Sequence, residues 1–80
     1  MELAMTRDEV KRVAREALSE HAGMAAGFMV ERAMPELKSD VPDAHEKMAF
    51  IHSIESRLPQ GADKKAISHT LMAAILIDHR

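Results

Sequence analysis

Residues 6–23, TRDEVKRVAREALSEHAG, carry one amphipathic helix with both its start and its stop written into the chain. Thr6 and Glu9 have the spacing of a capping box, in which each side chain satisfies a backbone N–H that the helix start leaves orphaned. Met5 is placed to staple onto Val10, and Asp8 and Glu9 suit the positive end of the helix dipole. Val10, Val13, Ala14, Ala17 and Leu18 then follow the i, i+3, i+4, i+7, i+8 spacing of a single apolar stripe. Lys11, Arg12, Arg15, Glu16 and Glu20 fall on the solvated face. Gly23 is the natural terminator, because glycine alone reaches positive φ without steric cost. A helix over 6–22 follows.

Outward from this stretch the same signals recur. A second helix is expected over 24–34, ended by Pro35, whose ring disfavours helical geometry at the residue before it. One long helix bent at Gly23 is the alternative that the sequence leaves open. PELKSDVP, residues 35–42, reads as the true connection, with room for one helical turn around Leu37. A third helix is expected over 42–58, with Pro42 in its first turn and Asp40 or Val41 as its cap. Its buried face would be Ala44, Met48, Ile51, Ile54 and Leu58, with Phe50 on the margin. PQG, residues 59–61, marks a tight turn. A fourth helix is expected over 62–78, with Asp63 near its positive end and His79 and Arg80 at its negative end. No sustained apolar and polar alternation argues for a strand. The reading is a single all-α domain spanning 1–80, a small bundle or irregular array of three to four helices.

Composition narrows function more by exclusion than by assignment. At 80 residues a chain buries only about 60% of the surface its unfolded form exposes, so stability is thin unless something else contributes. Disulfides, Cys-based zinc sites and thiol chemistry are excluded by the absence of cysteine. MELAMTRDEV lacks the basic start and apolar stretch of a secretory signal, which leads to the expectation of a cytoplasmic protein. The longest apolar run, Leu71 to Ile77, has seven residues, against about 20 needed to span a bilayer. Dividing the chain after Asp40 gives six basic and eight acidic residues, then five of each. Neither half has the clustered positive charge from which non-specific nucleic-acid affinity arises. The two aromatics, Phe28 and Phe50, are too few for base stacking along a single strand. Methionine is the overused residue at seven, and flexible thioethers serve both as gap fillers and as adaptable binding surface.

No constellation assembles into a catalytic, cofactor or metal site. His45 and His52 share a side of the third helix, but seven residues of rise separate them by roughly 10 Å, too far for one ion. His52 and Glu55 have usable spacing and make only half a site, while His21 reads as a boundary residue of the first helix. The serines lack a nucleophile elbow, the three glycines form no phosphate loop, and no Asp-Ser-Leu triplet is present to carry an acyl carrier's phosphopantetheine arm. The expectation is a protein that is not an enzyme and binds no cofactor or metal. GMAAG, residues 23–27, has small-xxx-small spacing, which in a chain without a membrane span reads as a helix end beside a crowded packing site.

Two helices carry more apolar surface than one face can bury. In the fourth, Ile67, Leu71, Ala74 and Ile75 form one side while Met72 and Leu76 fall opposite. In the second, Ala26, Met29, Val30 and Ala33 form one side while Met24 and Phe28, four apart, point the other way. A bundle this small has difficulty enclosing both. The surplus is therefore read as a protein-binding surface, with Met72 and Leu76 first, Met24 and Phe28 second, and Lys65, His69 and His79 as a polar rim. Association would weaken below about pH 6.5 as such histidines charge. The expected function is a regulator, adaptor or inhibitor that binds a protein partner, a homodimer being the first expectation. The alternative is a DNA-binding regulator with a helix-turn-helix-like unit in residues 42–78, reading DNA through Lys64, Lys65, Ser68 and His69.

Overall fold

The computed structural model describes residues 5–59, 61 and 63–76. Among them the chain is all-α, and it forms a small helical bundle without strands. Helix α1 spans Arg7–Ala22, α2 Ala25–Ala33, α3 Ala44–Ser56 and α4 Lys64–Leu71. A single 3-10 turn, Met34–Glu36, follows α2, and a π turn, Met72–Leu76, extends α4.

Three of the four helix starts resolve into side-chain chemistry. Thr6 and Glu9 form the full capping box, with Thr6 N–H donating to Glu9 Oε1 at 2.9 Å and Glu9 N–H donating to Thr6 Oγ1 at 3.2 Å. Asp43, not Asp40 or Val41, caps α3 by accepting from Glu46 N–H at 2.9 Å. The carboxylate lies directly ahead of the first turn, and Pro42 stays outside the helix, buried against the bundle. Asp63 caps α4 by accepting from Ala66 N–H at 3.1 Å.

Gly23 separates α1 from α2. It has φ 61° and ψ −130°, a region closed to side-chain-bearing residues, so the chain forms two helices and not one bent rod. Its N–H donates back to the Ser19 carbonyl at 3.0 Å, closing the last turn of α1. Pro35 ends α2 as expected but sits inside the 3-10 turn, which drops Leu37 into the core.

The core is assembled from every element. Val10, Ala14 and Leu18 of α1 meet Ala26, Met29, Val30 and Ala33 of α2, then Phe50, Ile51 and Ile54 of α3 and Ile67 and Leu71 of α4. Ile75, Leu58, Leu37 and Met34 complete it from the turns and connections. Each helix packs mainly on its neighbours in chain order: α1 on α2, α2 on α3, α3 on α4, and α4 with its π turn back on α1. In this closed ring every helix has an inner face and an outer one.

The buried face of α3 differs from expectation. Phe50 is wholly buried, Met48 only half so, and Ala44 is exposed. The inner face centres on Phe50, Ile51 and Ile54, so the largest side chain of the helix lies within the core and not on its margin. Position 62, the end of the fourth helix beyond 76 and the cation pair His79 and Arg80 lie outside the described residues.

Candidate functional site

The site is built on the hairpin of α1 and α2. Lys11 Nζ pairs with Glu31 Oε2 at 2.7 Å. One turn away, a Cβ placed on Gly27 would lie 3.4 Å from Arg15 Nε. A step forward along α2 from Gly27 to Glu31 is thus a step back along α1 from Arg15 to Lys11, which is an antiparallel register. Gly27 lets the Arg15 side chain lie across α2, so the helix end and the packing site read from GMAAG are two separate roles of its two glycines.

With Ala26, Met29, Val30 and Ala33 turned inward, the outer face of α2 carries Met24, Phe28 and Arg32 at successive intervals of four. Met24 is 99% exposed and Phe28 62%. The Arg32 guanidinium carbon lies 4.9 Å from the centroid of the Phe28 ring, within the range of cation–π attraction. Cations also border this face from α1. The hydrogen bond and charge of Lys11 hold the Glu31 carboxyl below its ordinary value of 4.5, and Arg15 and Arg7 add to that lowering. Glu31 is thereby committed within the chain, while among the described residues Arg32 is placed over the Phe28 ring without an ion-pair partner.

The surplus on the fourth helix is placed differently. Met72 and Leu76 are half-buried and packed against the core. A π turn holds more residues than an α turn, so each residue advances by less than 100°. Leu76, opposite Leu71 in ideal α geometry, therefore swings back toward the side of Leu71 and Ile75. Lys65 and His69 are exposed on α4, and His79 lies outside the described residues. Since α2 and α4 are each flanked by α1 and α3, the pair Met24 and Phe28 is not brought together with Met72 and Leu76.

Arg32 was missed at the sequence level, although its spacing of four from Phe28 on an exposed face is a legible cation–π signal. Among the described residues no group of three or more His, Asp or Glu side chains is close enough to hold a metal ion. None of the described helices is long and apolar enough to cross a membrane. Compared with family models, with curated proteins and with solved structures, the chain gives no match.

Proposed function

We propose that the protein is a small, non-catalytic protein–protein interaction module of the cytoplasm, a regulator, adaptor or inhibitor that docks through the outer face of α2. The observation that carries this reading is the exposure of Met24 and Phe28, four residues apart at the start and on the outer face of a helix whose opposite face already completes the core. Burying a large apolar side chain is worth roughly 1.5–3 kcal/mol, and folding leaves that gain unrealised at both positions. Large apolar side chains grouped on one exposed face mark binding surfaces, whereas scattered ones do not. Met72 and Leu76, on the same helix as Lys65 and His69, keep a minor part of their surface exposed and form the subordinate surface of the same proposal.

The DNA-binding alternative gains little from α4. Its N-terminus carries the Asp63 carboxylate, which would oppose a phosphate, and its exposed cations are Lys64 and Lys65.

Photo-crosslinking tests the reading. A benzophenone side chain in place of Phe28, in the full chain expressed in cells, is expected to give a discrete protein adduct, while the same group in place of the exposed His52 gives none. Adducts absent from position 28, or equal from both positions, would overturn it.

A further inference from the structure

We infer that Met24 is a redox-sensitive residue of the chain, and that its reversible oxidation to the sulfoxide turns off docking by the outer face of α2. This rests on the reading of α2 as a docking surface and adds its regulation.

The methionines differ sharply in their access to an oxidant. Among the described residues Met24 alone stands in the open, at 99% exposure, while Met29 and Met34 are 8% and 6% exposed within the core. Met5, Met48 and Met72 lie between these limits. A thioether reacts only as far as a peroxide reaches its sulfur, so Met24 comes first. The chain has no cysteine whose thiolate would consume the oxidant before it.

The step needs the sulfur and hydrogen peroxide. A sulfur lone pair attacks one peroxide oxygen, and the S–O bond forms as the O–O bond breaks. The other oxygen takes up the proton of the first and leaves as water. Sulfur is oxidised by two electrons and the peroxide is reduced by the same two.

The place of Met24 in the fold decides what the new oxygen does. Its side chain makes no capping hydrogen bond to α2 and is buried against nothing, so a sulfoxide there leaves the fold intact. The same change at Met29 or Met34 would set a polar group in the core. On the outer face, four residues from Phe28, it turns one of two large apolar side chains polar. Methionine sulfoxide is returned to methionine by dedicated reductases, which makes the change reversible.

Brief treatment of the full chain with hydrogen peroxide, followed by peptide mapping in a mass spectrometer, tests the site. Met24 is expected to oxidise roughly tenfold faster than Met29 and Met34 in the folded chain, and no faster than they do in urea. Circular dichroism is expected to be unchanged by the Met24 sulfoxide. Equal rates in the folded chain, or unfolding caused by that sulfoxide, would overturn the inference. Photo-crosslinking tests the consequence. The purified chain with benzophenone at position 28 is oxidised, freed of peroxide, mixed with cell extract and irradiated. The adduct is expected to fall roughly tenfold, as loss of one buried apolar side chain implies, and to return after treatment with methionine sulfoxide reductase. In Met24→Leu, the adduct is expected to be the same with and without peroxide. An adduct indifferent to the Met24 sulfoxide removes the switch and keeps the docking surface, whereas an adduct absent before any oxidation removes both.

Discussion

The guanidinium of Arg7 reaches thirty residues along the chain to donate from Nε to the backbone carbonyl of Leu37 at 2.6 Å. A second donor, Nη2, lies 3.4 Å from the Met34 carbonyl, and Arg7 N–H donates to the Asp40 carbonyl at 2.7 Å. One residue thereby ties the first turn of α1 to the connection between α2 and α3. On the far side of that connection Glu46 accepts from Ser39 N–H at 3.1 Å and Ser39 Oγ at 2.8 Å. The PELKSDVP segment is held at Leu37 and Ser39 by charged side chains from the first turns of α1 and α3. Hydrogen bonds to charged groups contribute about 1.5–3 kcal/mol, less where water has access. Arg7→Ala is therefore expected to lower stability by about 1–2 kcal/mol in urea unfolding. Arg7→Lys should recover only part of that, because an ammonium lacks the fork that spans two carbonyls.

The two glycines flanking Met24–Ala26 should respond to alanine with opposite signs. At Gly23 there is open space for a Cβ, yet φ is 61°, so Gly23→Ala is expected to cost about 1–3 kcal/mol through backbone strain alone. At Gly27 the backbone is helical and the Cβ would meet only the flexible end of Arg15. Gly27→Ala is expected to be neutral or to stabilise by up to about 1 kcal/mol, the helix propensity difference. Paired thermal denaturation of the two variants checks the sign.

The two phenylalanines should separate folding from binding. Phe50 is fully enclosed, so Phe50→Ala is expected to cost about 3–5 kcal/mol and to unfold much of the population. Phe28→Ala should change stability by no more than about 0.5 kcal/mol, the usual range at an exposed site. Whatever association the protein shows should be lost in the second variant. Chemical denaturation run beside sedimentation of Phe28→Ala reads both effects.

Glu31 gives a pH dependence of defined sign. Its folded carboxyl titrates below the ordinary 4.5, so the folded state favours the charged form. The contribution is present above pH 4.5 and is lost as the pH falls through the lower folded value. Because the pair is exposed, the effect is small and should shrink in salt. Urea midpoints followed from neutral pH into the acid range are expected to fall less steeply for Glu31→Gln than for the unaltered chain.

How much was legible follows from the range over which each signal acts. The capping box at Thr6 and Glu9 and the stripe from Val10 to Leu18 are relations among residues no more than eight apart, legible in the order of residues, whereas Gly23 left a stop and a bend both open until its positive φ decided for the stop. The division of α2 into an inner face and an outer one was legible too. The cap of α3 was misplaced at Asp40 or Val41 because several residues near Pro42 satisfy the same local pattern, and the choice of Asp43 depends on where the chain leaves the connection.

What the sequence alone determined is the all-α class, the approximate helical stretches and the existence of two apolar surpluses, since helical periodicity and end-capping are local properties of a chain. Which surplus stays outside was decided by tertiary structure. The π turn lies against α1 and α3 and rotates Leu76 inward, which leaves Met72 and Leu76 partly buried against the core. Among the described residues the closed ring gives α2 no such neighbour on its outer side, so Met24 and Phe28 are exposed there, with Arg32 over the ring. Burial depends on what surrounds a face, and that is a property of the assembled bundle, not of the face itself.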